Sequence, residues 1–256
     1  MANDAGRFIW YELMTTDTAA AQTFYRQVVG WGATDAQMPG MPYWMFNMNE
    51  QPVAGLMDLP EQARSMVSPP VWMGYVTVDD VDASVAQVRA KGGAVYVPPT
   101  DIPNMGRFSI VADPAGAAFG LWRSANPAQD TPPDMTAPGR VGWNELYGAD
   151  PTTGFDFYAS LFGWEKKDSM EMGDMGVYQI FGPSDAALGG MMRKPEAMPV
   201  GAWGYYFNVS SVEEAAERVK AAGGQVVLGP MEVPGGQWML QGVDPQGAHF
   251  GLLGTK

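Results

Sequence analysis

The chain has 256 residues, of which 46% are apolar and 17% charged, so it can bury a sizeable core and is not disordered in bulk. Its net charge of −13 arises from 7 basic against 12 acidic residues over 1–128 and 8 against 16 over the remainder, and both halves would repel a phosphate backbone. Cysteine is absent, which removes disulfides, thiolate metal sites and cysteine nucleophiles together.

From the N-terminus, an apolar strand is predicted over Phe8–Thr15, followed by a helix over Thr18–Val29 that Asp17 caps and Gly30 stops. A second strand, Val71–Val78, leads to a helix over Val81–Ala90 and a stop at Gly92. After each helix come two or three short β-like runs broken by Gly or Pro. The same order then begins again. Residues 6–31 recur at 139–164, with Gly6, Arg7, Trp10, Glu12, Leu13, Asp17, Phe24, Tyr25, Gly30 and Trp31 matched by identical residues at an offset of 133. Residues 71–122 recur at 202–253 at an offset of 131, including the endings Asp113-Pro-x-Gly-Ala-x-Phe-Gly-Leu121 and Asp244-Pro-x-Gly-Ala-x-Phe-Gly-Leu252. Such self-similarity is the mark of a duplicated module.

In the second copy Asp150-Pro151 and the capping box Ser211-Val-Glu-Glu214 start the helices, and Gly163 and Gly223 stop them. Between the copies, residues 124–138 contain four prolines and read as a linker that crosses in extended form. Each copy carries a weaker internal repeat, so that each quarter is about 60 residues of βαβββ. Aligning the tryptophans gives internal offsets of 62 and 60, whereas the caps favour 63 and 61. The caps have the more specific mechanism and are preferred, because a one-residue slip turns every strand side chain to the other face.

These features resemble the vicinal oxygen chelate superfamily, which includes glyoxalases, bleomycin-resistance proteins and extradiol dioxygenases. The resemblance rests on Asp17…Phe24-Tyr25…Gly30-Trp31, on Val78-Asp-Asp-Val-Asp-Ala83, and on the Asp-Pro-x-Gly-Ala-x-Phe-Gly-Leu endings, all repeated in the second half. It points to the two-module, glyoxalase-like branch. The implied fold is α+β, with one module over 1–123, the linker over 124–138 and a second module over 139–256. Each module is expected to pair two βαβββ units whose mixed sheets curl around a cleft.

Relatives hold a divalent metal there with His, Gln or Glu. Carried over by position, those ligands fall on Trp10, Met73 (Trp72 in the tryptophan register) and Gly120 in the first module and on Trp143, Gly204 (or Trp203) and Gly251 in the second. None suits a hard or borderline cation, so no metal and no cofactor are expected. The expected partner is a small molecule, with no nucleic acid and no membrane, and a monomer is expected because two modules can supply each other's pairing. No run approaches 18 apolar residues, and Met1–Gly6 has neither a basic nor an apolar leader region, which gives a cytoplasmic expectation.

Strand alternation puts Trp10, Glu12 and Met14 on one face, and Trp143, Glu145 and Tyr147 on its counterpart. Glu12 and Glu145 would be carboxylates among rings, where desolvation favours a proton acceptor. The plainer reading is a carboxylate bonded to backbone or paired with Arg7 or Arg140. His249, the one histidine, alternates with Gly251 and Leu253 and is the third catalytic candidate. Tyr75, Tyr206 and Asn208 are candidate hydrogen-bond donors to a ligand, and Trp122 and Trp238 candidate ring contacts. Arg107 is either an anion clamp or a rim salt bridge.

Three classes of function follow. One is a metal-independent protein that sequesters an aromatic or carbonyl-containing molecule in aromatic-lined clefts. Another is a metal-free isomerase or lyase with Glu12 or Glu145 as base. The last is a metal-dependent glyoxalase or dioxygenase, against which the missing ligands argue.

Overall fold

The computed structural model describes residues 5–38, 40–65, 69–127 and 133–256. The first copy runs β1 (Phe8–Thr15), α1 (Thr18–Val28), β2 (Gly32–Asp35), β3 (Tyr43–Met48), β4 (Gln51–Asp58), α2 (Glu61–Ser65), β5 (Val71–Thr77), α3 (Val81–Ala90), β6 (Ala94–Ile102), β7 (Gly106–Ala112) and β8 (Ala118–Ser124). The second runs β9 (Val141–Gly148), α4 (Pro151–Phe162), β10 (Glu165–Glu171), β11 (Val177–Gly182), β12 (Gly189–Arg193), β13 (Ala202–Ser211), α5 (Val212–Ala221), β14 (Gln225–Glu232), β15 (Trp238–Val243) and β16 (His249–Thr255). The short α2, and a 3₁₀ turn at Gly173–Met175, have no signal in the sequence reading. Among the described residues, no helix is long and apolar enough to cross a membrane.

The helix starts are local chemistry. Asp17 accepts from the Ala20 amide at 2.9 Å, Asp80 from Ala83 at 3.0 Å, Asp150 from Thr152 at 2.9 Å and Ser211 from Glu214 at 3.2 Å. Gly30, Gly92, Gly163 and Gly223 all take positive φ just beyond their helices, where a Cβ would be strained.

The strands form two open mixed sheets of eight, ordered β2-β3-β4-β1-β5-β8-β7-β6 and β10-β11-β12-β9-β13-β16-β15-β14. Four parallel pairs set the register. They place Glu12 beside Gly55, Tyr75 beside Gly120, Glu145 beside Gly190 and Tyr206 beside Gly251. Position 12 thus corresponds to 75 and position 145 to 206, offsets of 63 and 61. The tryptophan alignment is one residue out because Trp72 turns away from this row. Its indole packs against Tyr25 and Phe207, at ring separations of 5.3 and 4.8 Å.

The compact units do not coincide with the sequence copies. One unit comprises residues 1–9, 74–133 and 144–203, and the other comprises 10–73, 134–143 and 204–256. Each has its own aromatic core. In the first, Trp164 stacks on Phe181 at 4.5 Å and Tyr158 lies 5.7 Å from both Phe119 and Trp164. In the second, Tyr25 stacks on Trp31 at 5.5 Å, and Trp31 meets Phe207 edge-on at 4.9 Å.

The Asp-Pro-x-Gly endings clasp each unit. Asp113 accepts the amides of Ala115 and Ala117 on one oxygen and the Tyr158 phenol, at 2.9 Å, on the other. Asp244 does the same with Gln246, Ala248 and the Tyr25 phenol, the last at 3.2 Å. Burial pushes both carboxyls above the usual carboxylate range. A helix from one copy is thereby bonded to a hairpin turn from the other.

The expected extended crossing needs correction. β8 continues to Ser124, and residues 128–132 lie outside the described part. Over 133–140 the chain turns, with Ala137 N bonded to Asp134 O and Arg140 N to Ala137 O. Asp134 is the cause, because its carboxylate accepts from the Thr136 amide and hydroxyl.

Candidate functional site

In the first copy, Glu12 projects from β1 beside Gly55 of β4, and the Tyr43 phenol of β3 bonds its carboxylate. Tyr43 also accepts the Trp10 indole N–H at 3.0 Å. The phenol oxygen lies 1.9 Å from where a Cβ on Gly55 would stand, so the missing side chain makes its seat. Glu12 and Tyr43 are each 8% exposed. Burial and the Glu12 charge push the phenol's pKa far up, so Tyr43 is a donor across the physiological range.

The second copy repeats the arrangement. Tyr178 of β11 donates to Glu145 Oε1 at 3.0 Å, and its hydroxyl lies 2.2 Å from where a Gly190 Cβ would be. Tyr147 donates to Oε2 of the same carboxylate. Glu145 is 7% exposed. Its counterpart of Tyr147 in the first copy is Met14, which has no proton to give.

In the second half of each copy a tyrosine replaces the glutamate in the row. A Cβ on Gly120 would stand 2.1 Å from Tyr75 Cδ1, and one on Gly251 would stand 2.3 Å from Tyr206 Cδ1. Both rings therefore lie flat across glycines. Tyr206 Oη accepts from Gln241 Nε2 at 2.6 Å, and its ring packs with Met239, Leu253, Trp143 and Val233.

Other candidates are placed differently. Arg107 bonds Asp82 through Nε at 2.7 Å and Asp101 through Nη1 at 2.8 Å, which is the rim salt bridge of the two alternatives. Asn208 donates to Met135 O at 2.7 Å and Ala137 O at 3.0 Å, so its amide tethers the incoming chain. Arg7 pairs with Asp185 at 2.6 Å. His249 is exposed at the first position of β16. The half-buried Trp122 lies over Gly106, and Trp238 carries Lys256 Nζ 5.0 Å from its ring centroid. Sequence reasoning missed Tyr43, Tyr178, Gly55, Gly190 and Gln241. One signal was available: Tyr43 and Gly55 recur as Tyr178 and Gly190 at a common offset of 135.

A profile of the Glyoxalase/Bleomycin resistance protein/Dioxygenase superfamily matches residues 7–121 and again 137–251. The chain belongs to this superfamily. A protein of Mycobacterium tuberculosis named "Putative glyoxylase CFP32" is 37% identical over 95% of this chain and 93% of its own length. The "Anthracycline biosynthesis protein DnrV" of Streptomyces peucetius is 29% identical over 95% of this chain and 91% of its own. The fold is shared with a Mn(II)-bound glyoxalase from Novosphingobium aromaticivorans (TM-score 0.64, 18% identity, 99% of this chain and 83% of that one). It is also shared with the 2,3-dioxygenase LapB of Pseudomonas sp. KL28 (TM-score 0.65, 15% identity, 98% and 93%).

Of the inherited ligand positions, Gly120 and Gly251 are roofed by tyrosine rings, and Trp10, Met73, Trp143 and Gly204 offer no hard donor. Among the described residues no three His, Cys, Asp or Glu side chains converge. These residues do not fit a divalent ion.

Proposed function

We propose that this glyoxalase-like protein binds a small aromatic or carbonyl-containing molecule on the strand faces that carry Glu12 and Glu145, with no resident divalent metal. The tyrosine rings across Gly120 and Gly251 carry this reading, because they fill the room that a last-strand ligand would need. Trp10, Tyr75, Trp143 and Tyr206 supply broad, polarisable surface for a flat ligand. The relative named for anthracycline biosynthesis accords with a fused-ring ligand bearing carbonyl groups.

A second reading is favoured by the phenol-bonded carboxylates. In a metal-free isomerase or lyase, Glu12 or Glu145 takes a proton next to a ligand carbonyl, and the tyrosine bonded to it holds the carboxylate in place. The base must come within hydrogen-bond reach of that proton, and both carboxylates lie on the proposed ligand face.

The test is tryptophan-fluorescence titration with a hydroxyanthraquinone, run on protein dialysed against EDTA and on protein resupplied with Mn, Fe, Ni or Zn. Saturable binding of equal affinity in both is expected. Binding that appears only with a metal returns the chain to the metalloprotein class. If turnover accompanies binding, Glu12→Gln and Glu145→Gln separate the readings, since Gln keeps the shape and removes the base.

A further inference from the structure

The ligand's charge can be read from the distribution of cations over the sheets, given the proposed binding face. The inner strands β1, β4, β5, β8, β9, β12, β13 and β16 contain no lysine and two arginines. Both are paired with acids: Arg123 with Asp79 at 3.3 Å, and Arg193 with Asp150. On β7, Arg107 is held by Asp82 and Asp101. The same strands place the buried carboxylates Glu12 and Glu145 beside indole and phenol rings. Alternation puts Arg123 on the face opposite Gly120 and Arg193 on the face opposite Gly190, so a ligand carboxylate, sulfonate or phosphate would meet negative charge there and no guanidinium of these strands. A protonated amine would meet ring faces and carboxylates, both of which attract it.

We infer that the site selects flat aromatic ligands bearing a basic nitrogen and rejects the same ring system when it carries an anionic group. The inference rests on the reading that these faces bind an aromatic ligand. The chain's charge of −13 alone would favour any cation weakly, so the two buried glutamates must account for the selectivity.

The experiment compares three anthraquinones that differ in one substituent: an aminoalkyl chain, a hydroxyl and a sulfonate. Each is titrated into the full-length chain by fluorescence quenching, in low salt and in about 0.5 M salt, where screening reaches only a few ångströms. The amine is expected to bind at least about tenfold more tightly than the sulfonate, a gap that repulsion between like charges readily supplies. In the Glu12→Gln, Glu145→Gln double variant the gap should shrink severalfold, although 26 of the 28 acidic residues remain. A sulfonate bound as tightly as the amine, or a gap unchanged in the double variant, overturns the charge selection alone. If none of the three binds, the aromatic-ligand reading fails and this inference fails with it.

Discussion

The Glu12 and Glu145 sites share a plan in which one residue differs, Tyr147 standing where the first copy has Met14. Both carboxylates project beside a glycine, and both are held by a tyrosine seated over it. Glu145 has a phenol on each oxygen, from Tyr147 and Tyr178. At the first site Met14 stands where Tyr147 would be, and the Trp10 indole donates to Tyr43. Tyr43 joins Glu12 to Trp10 in the first site, and Glu145 joins Tyr147 to Tyr178 in the second.

The glycine seats give the largest expected effect. Gly55→Ala and Gly190→Ala put a methyl group into the phenol position, and each should lower stability by about 1–3 kcal/mol, the usual range for overpacking. Denaturant titration measures this. If either variant matches the wild type, the tyrosine is mobile and not seated.

Next comes loss of the phenol. Tyr43→Phe removes the bond to Glu12 and leaves the Trp10 N–H without its acceptor, which should destabilise by about 1–3 kcal/mol. Tyr178→Phe likewise removes its bond to Glu145 and should also destabilise by about 1–3 kcal/mol. A variant as stable as the wild type would show that its phenol does not hold the carboxylate.

A similar asymmetry lies in the cores. Trp72 Nε1 donates to Tyr25 Oη at 2.9 Å, whereas Trp203 Nε1 is buried and has no partner among the described residues. Trp72→Phe should therefore cost about 1 kcal/mol more than Trp203→Phe in thermal unfolding, the worth of one net hydrogen bond.

The smallest effect concerns pH, and its sign follows from burial. Asp113 and Asp244 have raised folded pKa values, so the native state holds their protons longer than the unfolded chain does. Their contribution is therefore most favourable below the unfolded carboxylate pKa of about 3.9. It declines as pH rises through the raised folded values. Asp150 is opposite: its folded pKa is lowered to about 2 by Thr152 and Arg193, so its contribution is lost as pH falls through that value. As pH rises from about 3.9 through the raised folded pKa of Asp113, the unfolding midpoint of Asp113→Asn should fall less than that of wild type. A steeper fall would show that the Asp113 pKa is not raised in the folded state.

Much of the plan was legible in the chain. The duplication, the Asp and Ser caps, the glycine stops and the absent ligand positions are local or repeated, and repetition shows them twice. The 63 and 61 offsets were also readable, because a cap fixes where a helix begins and so fixes the strand before it. Tyr43 and Tyr178 recur at one spacing, but their role was hidden, because nothing local reveals that a ring will lie across a glycine on the neighbouring strand. Arg107 and Asn208 show the same limit. Side-chain type allowed both to touch a ligand, and only their partners, Asp82 and Asp101 for one and the carbonyls of 135 and 137 for the other, assigned them to holding the fold. The sequence by itself thus determined the four long helices and the strands before them, their duplication and the superfamily. Tertiary structure decided which half of each copy shares a core with which, through the bonds of Tyr25 to Asp244 and of Tyr158 to Asp113. The physical reason is range: caps and turns act within a few residues, whereas those clasps join groups separated by 219 and 45 positions, and only folding brings them into reach.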